Sequence, residues 1–395
     1  MDLVGLLTEP ARRGSVEVQS LVALVRRGMV GVELPHRVVQ IVKAINDYGI
    51  NGAAAKIAAI RHGDRIAIAD ERGEISFKEL DERIDRLANA LIAEGVPQGA
   101  SVGILCRNHR QPLIAAFAAS RGGFNAVWLN TSFSAPQAKE VVEREKVDIL
   151  VHDEEFAELV ADITSPGHGL VTSGDELDAL IDKGEAKGPP SPEKAGKIVL
   201  LTSGTTGTPK GAPRAEPRSL SLPGALLDRM PMKARETTVI GPPLYHGTGL
   251  IIALLALALG HTLVLRRKFD AAQFLDDTAE HGATTWCVVP VMLQRVLALG
   301  DEEIEQRDLS SLRVVFCAGS QLPAEVATKA MDLLGDVIYN LYGSTEVSVA
   351  TLATPADIRA APTSVGKPAL GSKVKIFDDA GKELPQGESG RIFVG

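Results

Sequence analysis

Short runs of aliphatic and β-branched residues recur along this chain, and the stretches between them carry apolar residues at helical spacing. RIAIAD (65–70), SVGILC (101–106), VDIL (147–150), KIVLLT (197–202), TTVIG (237–241), TLVLR (262–266), TTWCVV (284–289) and LRVVFCAG (312–319) each read as strands. In SVGILC apolar residues fall on both faces, as in a strand covered on both sides of a sheet. Between the first two runs, Phe77, Leu80, Ile84, Leu87 and Leu91 follow at steps of three and four, on one helix face, with Gly95 as the stop. A second helix is expected from Pro112 to Ser120, with proline in its first turn. Strand alternating with helix can bury its apolar faces only in layers, so the expected fold is layered α/β with parallel strands.

The chain has 395 residues, which asks for two or three packed units. Ahead of the first strand, LVALVRRG and HRVVQIVKAINDYG predict helices, each closed by a glycine, so residues 1–57 read as a helical extension. Residues 163–195 are polar and rich in Gly, Pro, Ser and Lys, and read as a surface connection that marks a subdomain boundary. After Pro355 the texture changes. KVKIF and RIFV flank a turn-rich stretch and predict a small antiparallel or barrel-like unit over 355–395.

Composition removes several classes of function. With 45% hydrophobic and 23% charged residues the chain is globular. A net charge of −8 gives no general attraction to a phosphate backbone. The basic clusters Arg12-Arg13 and Arg266-Arg267-Lys268 lack the extent and aromatic interleaving of a nucleic-acid platform, so no nucleic acid partner is expected. Cys106, Cys287 and Cys317 are odd in number, widely spaced and set in or beside apolar runs, which predicts buried structural thiols in a reducing compartment. The longest apolar run, Leu250 to Leu259, has ten residues. A spanning helix needs about 20, so a buried helix is expected and no transmembrane segment. The N-terminus lacks a signal peptide's order of features, and a cytoplasmic location is expected.

The sharpest local signal is the run from Leu201 to Gly211, LTSGTTGTPKG. Its three glycines let main-chain N–H groups approach an anion, its five hydroxyl residues add small donors, and Lys210 adds a mobile positive charge. A plain polar turn is the ordinary alternative. Walker A is excluded, because Pro209 stands five positions after Gly204 where GxxxxGK[ST] requires glycine.

TSGTTGTPKG resembles the phosphate-binding signature of the adenylate-forming superfamily, the acyl-CoA synthetases in particular. GPPLYHGTG (241–249), AGSQLP (318–323), YGSTE (342–346), GKPALGSKVKI (366–376) and GESGRIFVG (387–395) follow in that family's order. The resemblance runs from about residue 58 to the end. It implies an αβαβα arrangement of two sheet-and-helix subdomains over 58–354, followed by a small, incomplete β-barrel-like subdomain. It also implies ATP and Mg²⁺ as cofactors and coenzyme A as co-substrate.

The resemblance carries roles over residue by residue. Thr202, Ser203, Gly204, Thr205, Thr206, Gly207 and Lys210 match groups that hold the β- and γ-phosphates. Gly319, Ser320 and Gln321 match the adenine pocket, and Tyr342 matches the ring that stacks on adenine, with Gly343 and Ser344 beside it. Thr345 matches an α-phosphate contact and Glu346 the carboxylate associated with Mg²⁺, so Lys210, Thr345 and Glu346 form the expected catalytic set. His246 borders the acyl and thiol sites. Each has an ordinary reading too: core packing for Tyr342, a solvated carboxylate or cap for Glu346, a turn hydroxyl for Thr345, a strand-to-helix turn for 319–321, and a structural imidazole for His246.

The implied reaction joins a carboxylic acid to a thiol through an acyl-adenylate. No carboxylate occurs from Gly241 to Thr262 to meet a substrate ammonium, so an amino acid is disfavoured. A fatty acid is the first expectation and an aromatic acid the second. Transfer to a carrier-protein thiol, and a noncatalytic nucleotide-binding module, are the alternatives. The family's downstream ribose-contacting acid, hinge and mobile C-terminal domain are absent from residues 1–395, which are therefore expected to be a truncated large domain with impaired overall activity. For residues 1–57, packing as an added element, association, and peripheral membrane contact all stay open.

Overall fold

The computed structural model describes residues 3–163, 169–202, 210–214, 219–344 and 349–395. They form two units. The first comprises Met1–Gly31, Arg218–Gly241 and Phe269–Gly395; the second comprises Val32–Pro217 and Pro242–Lys268. Residues 163–195 lie wholly within the second.

In the first unit, adjacent strands run in the order Lys367–Pro368, Thr351–Ala353, Ile338–Tyr342, Val314–Cys317, Thr285–Val288 and Thr237–Ile240. The last four are mutually parallel and the first two antiparallel. All four residues of Val314–Cys317 and of Thr285–Val288 are buried, the physical reason these runs are apolar on both faces apart from Thr285. Helix Leu3–Arg27 packs on helix Ser221–Arg229. Arg27 Nε donates to the Leu227 carbonyl at 3.0 Å, and Glu17 accepts from the Leu220 N–H at 3.0 Å. Val374–Phe377 and Arg391–Val394 pair antiparallel as a two-stranded sheet, the small C-terminal element, which is not closed into a barrel.

The second unit holds a sheet in the order Gly169–Thr172, Val147–His152, Ser101–Leu105, Asn125–Trp128, Ile198–Thr202 and Lys210–Arg214. The first five are parallel, and Lys210–Arg214 returns antiparallel. In the same unit Ile66–Asp70 pairs parallel with Thr262–Leu265 and antiparallel with Gly73–Ser76. Helix Phe77–Ala93 opens with a capping box between Ser76 and Glu79 and buries Phe77, Leu80, Ile84, Leu87 and Leu91, the face its spacing predicts. Helix Arg110–Gly122 is buried at every position. Both units are sheet-and-helix layers, as the alternation requires.

Gly49 breaks the helical run as expected: Pro35–His62 is two helical segments meeting at a kink, where Gly49 holds φ 69° and ψ 179°, and the segment beyond packs through small residues Gly52, Ala53, Ala55 and Ala58, which give no large-residue periodicity. One expectation is corrected. Residues 163–195 are not plain connection, since they contain strand Gly169–Thr172 and helix Asp175–Lys183. In that helix only Leu177 and Ile181, one turn apart, are buried, and acidic residues surround them. Cys106, Cys287 and Cys317 are free and buried, and helix Gly247–Ala258 buries most of the long apolar run. Among the described residues, no helix is long and apolar enough to cross a membrane.

Candidate active site

In the second unit the glycine-rich run is bounded by a hairpin. Ile198–Thr202 and Lys210–Arg214 pair from Ile198↔Arg214 to Thr202↔Lys210. A returning antiparallel strand after the run differs from the helix that follows in a Walker A site. Residues 203–209 lie outside the described residues, so Ser203, Gly204, Thr205, Thr206 and Gly207 are placed only by the paired backbones of Thr202 and Lys210 that bound them.

In the first unit the segments expected to meet adenine come together. Val314–Cys317 and Ile338–Tyr342 are parallel neighbours in register, Val315↔Ile338 to Cys317↔Asn340. Gly319, Ser320 and Gln321 continue from the carboxyl end of one strand, and Tyr342 ends the other. The carboxyl edge of a parallel sheet is where such folds bind ligands. Gly319, Ser320, Gln321, Gly343 and Ser344 are exposed, and Tyr342 is 39% exposed at the strand end, against the core-packing alternative. An exposed ring beside exposed polar main chain suits a flat heterocycle. The chain returns by Tyr342↔Thr351, with the Ala350 N–H donating to the Tyr342 carbonyl at 3.0 Å. Thr345 and Glu346 belong to the intervening segment and lie outside the described residues.

His246, in the second unit, is the residue before helix Gly247–Ala258. Its N–H donates to the Pro243 carbonyl at 3.1 Å, closing a turn, and its carbonyl accepts from the Leu250 N–H at 3.0 Å. Its ring lies 4.6 Å from the Tyr245 ring, centroid to centroid. The side chain is exposed, yet the protein packed around it lowers the imidazole pKa by burial. A neutral imidazole at near-neutral pH follows, on an element with no carboxylate.

The sequence of residues 56–395 matches the model of a protein family described as AMP-binding enzyme. This chain belongs to that family. Feruloyl-CoA synthase of Amycolatopsis sp is 31% identical to it over 341 residues, which cover 85% of this chain and 66% of that protein. The AMP-binding chain thus spans just under two thirds of the length of that curated relative. The anthranilate CoA ligase AuaEII, solved in complex with anthranoyl-AMP, superposes with a TM-score of 0.77 at 25% identity, covering 87% of this chain and 69% of that one. The N-terminal domain of FACL13 from Mycobacterium tuberculosis shares the fold, with a TM-score of 0.78 at 20% identity over 87% of this chain and 88% of that one.

The AMP-binding chain also has a polar corner that its motifs do not announce. Arg107 to Gln111 follows the buried strand Ser101–Leu105 and enters the buried helix Arg110–Gly122. Five polar residues between two buried elements were the available signal. Asp153, fully buried, accepts from His109 Nε2 at 2.8 Å, from the Arg107 N–H at 2.8 Å, from Arg267 at 2.9 Å and from Ser173. His109 Nδ1 in turn accepts from the Gln111 N–H at 3.3 Å. Cys106, His109 and Asp153 present ligand-type atoms within 4.8 Å of one another. Both imidazole nitrogens and both carboxylate oxygens are already committed, and the Cys106 thiol is raised well above its usual pKa by burial and by Asp153. The cluster is a structural hub. Arg107, Arg267 and Lys268 also pair with Glu155, so part of the basic cluster at 266–268 serves this corner.

Burial opposes ionisation of Asp153, but the bonds from His109, Arg107 and Ser173 outweigh it and hold its carboxyl well below the usual range. A depressed native pKa contributes stability that is present above about pH 4, the unfolded value, and is lost as the pH falls toward the native one. Thermal unfolding followed from pH 7 to pH 3 should therefore show the wild type weakening below about pH 4. Asp153→Asn should be less stable at pH 7 and flatter in acid; parallel curves would contradict this.

Proposed function

We propose that this AMP-binding chain is the large domain of an ATP-dependent acid–thiol ligase. A carboxylic acid attacks the α-phosphate of MgATP to give an acyl-adenylate and pyrophosphate, and the thiol of coenzyme A then takes the acyl group and releases AMP. The observation that carries the reading is the run TSGTTGTPKG, bounded by paired Thr202 and Lys210. In this reading Thr202, Ser203, Gly204, Thr205, Thr206, Gly207 and Lys210 receive the β- and γ-phosphates, while Tyr342 stacks on adenine beside Gly319, Ser320 and Gln321. Thr345 meets the α-phosphate. Glu346 supplies a hard oxygen ligand for Mg²⁺, whose charge offsets that developing on phosphoryl oxygens. The substrate carboxylate is the nucleophile, so no activated side-chain nucleophile is needed.

The acid is compact and apolar, most simply aromatic. Feruloyl-CoA synthase and the anthranilate ligase are named for aromatic acids. A fatty acid is the second reading, resting on the run Leu250–Leu259. Leu250, Ile252, Leu255, Leu257 and Leu259 are buried in the core, which leaves little of that run to line a long channel.

Acid-dependent ATP–pyrophosphate exchange tests both levels. Exchange with ferulate- and anthranilate-type acids should exceed exchange with alanine by about tenfold or more, because a site built without a carboxylate leaves the ammonium unpaired. Equal exchange with alanine would overturn the acid class, and faster exchange with long-chain fatty acids would favour the second reading. No exchange with any acid, from a chain that also fails to bind ATP, would overturn the ligase reading. Thioester formation with free coenzyme A, compared with a carrier protein, assigns the acceptor.

A further inference from the structure

We infer that Asn108 is a positioning residue for this reaction, clamping the turn Pro242–His246 so as to set the pose of His246. The inference rests on the reading of His246 as a residue at the border of the acyl and thiol sites. Asn108 is buried, and its side chain makes two bonds to one turn. Its Nδ2 donates to the Pro242 carbonyl at 2.9 Å, and its Oδ1 accepts from the Leu244 N–H at 2.8 Å. One planar amide thus satisfies a buried acceptor and a donor that lie two residues apart. Aspartate would keep the acceptor, lose the donor and set a charge against a carbonyl; leucine would orphan both main-chain groups.

The turn is held from its other side as well. A Cβ on Gly249 would stand 2.6 Å from the Pro243 oxygen and 2.9 Å from the Pro242 oxygen, so the first turn of helix Gly247–Ala258 closes directly on the two prolyl carbonyls. Only glycine permits that approach. His246 makes no side-chain capping bond to its helix, so main-chain geometry sets where its ring points. Asn108 is itself anchored by its neighbours. The Arg107 N–H and His109 bind buried Asp153, and the Arg110 N–H binds buried Asp70 at 2.8 Å. A fixed strut therefore meets a fixed helix start, with the Tyr245–His246 pair between them.

The test is a double-mutant cycle in residues 1–395, with exchange kinetics as readout. Asn108→Ala and Gly249→Ala should each raise KM for the acid about tenfold while leaving KM for ATP within about twofold. The double variant should be no worse than the worse single one, because both act through one turn. Asn108→Asp, which keeps the acceptor, should fall between wild type and Asn108→Ala. Full additivity, or KM values for acid and ATP rising together, would overturn the inference. Gly249→Ala leaves Asn108 intact and keeps the test open should Asn108→Ala fail to fold. The His246 imidazole signal, assigned by its loss in His246→Gln, gives a readout independent of turnover. Its titration midpoint should move up by about 0.5 unit in Asn108→Ala or Asn108→Asp as the ring relaxes into water. If the wild type neither exchanges with any acid nor binds ATP, the ligase reading fails by itself; the midpoint needs no turnover, and an unmoved midpoint overturns the clamp.

Discussion

Arg121→Met should cost about 3–5 kcal/mol of stability, the largest loss expected of any single substitution in the second unit. Arg121 is fully buried at the end of helix Arg110–Gly122. It donates through NH1 to Asp85 at 2.6 Å and through Nε to the Gly52 carbonyl at 3.1 Å, and its NH2 lies 2.6 Å from Asp81. Lys56 bridges the same two carboxylates at 2.8 and 2.9 Å. Two cations and two anions therefore join helices Pro35–His62, Phe77–Ala93 and Arg110–Gly122. Removing the guanidinium leaves two largely buried carboxylates facing one ammonium, and an uncompensated buried charge is what makes such deletions severe. Tyr48 reports on the same pocket. Burial, with Asp85 adding to it, pushes its phenol up to about 12, and its hydroxyl donates to the Pro189 carbonyl at 2.9 Å.

Urea unfolding checks the prediction. Trp128 and Trp286, the only two tryptophans, lie one in each unit, so a Trp286→Phe background leaves Trp128 to report on the second. A loss below about 1 kcal/mol would mean that Lys56 and solvent carry the carboxylates without Arg121. Replacing Arg121, Asp81 and Asp85 together with apolar residues should recover part of the loss, since it removes the charges as well as their pairing.

Glu346→Gln should lower the rate of acid-dependent exchange by about 100- to 1000-fold, the largest effect on activity. The substitution keeps the shape and removes the charge. Mg²⁺ prefers hard, anionic oxygen, and an amide oxygen is a much poorer partner. The loss should appear mainly in the maximal rate, with a higher Mg²⁺ concentration needed for half-saturation and KM for the acid little changed. That pattern separates a metal ligand from a helix cap, which would alter unfolding and leave the Mg²⁺ dependence alone. A rate within about twofold of wild type would remove Glu346 from the catalytic set.

How far the sequence could be read differs from one layer to the next. Val314–Cys317 and Thr285–Val288 were legible because a parallel strand covered on both faces must be apolar throughout. Helix Phe77–Ala93 was legible because a half-covered helix must repeat its large residues. Helix Asp175–Lys183 was hidden because only Leu177 and Ile181 are buried, too few to show a period among acidic neighbours. The break at Gly49 was legible because a positive φ interrupts a helix and favours glycine. The glycine-rich run and Tyr342 stand out in the sequence because their chemistry is local. Asn108 and Asp153 could not, because their partners lie 136 and 114 positions away, at Leu244 and Arg267, and no spacing rule connects them.

The first unit is assembled from three separate stretches of chain, and this bears on its birth at the ribosome. Helix Leu3–Arg27 is made before the rest of its unit, yet Arg27 finds its acceptor Leu227 only 200 residues later. At about 5–20 residues per second that is a wait of roughly 10–40 s. Through that interval Ala23 and Leu24, buried in the finished unit, have nothing of their own unit to cover them, while the second unit can begin to fold. Within its unit the segment made earliest is among the last to settle, and the hazard of premature association is concentrated on that helix.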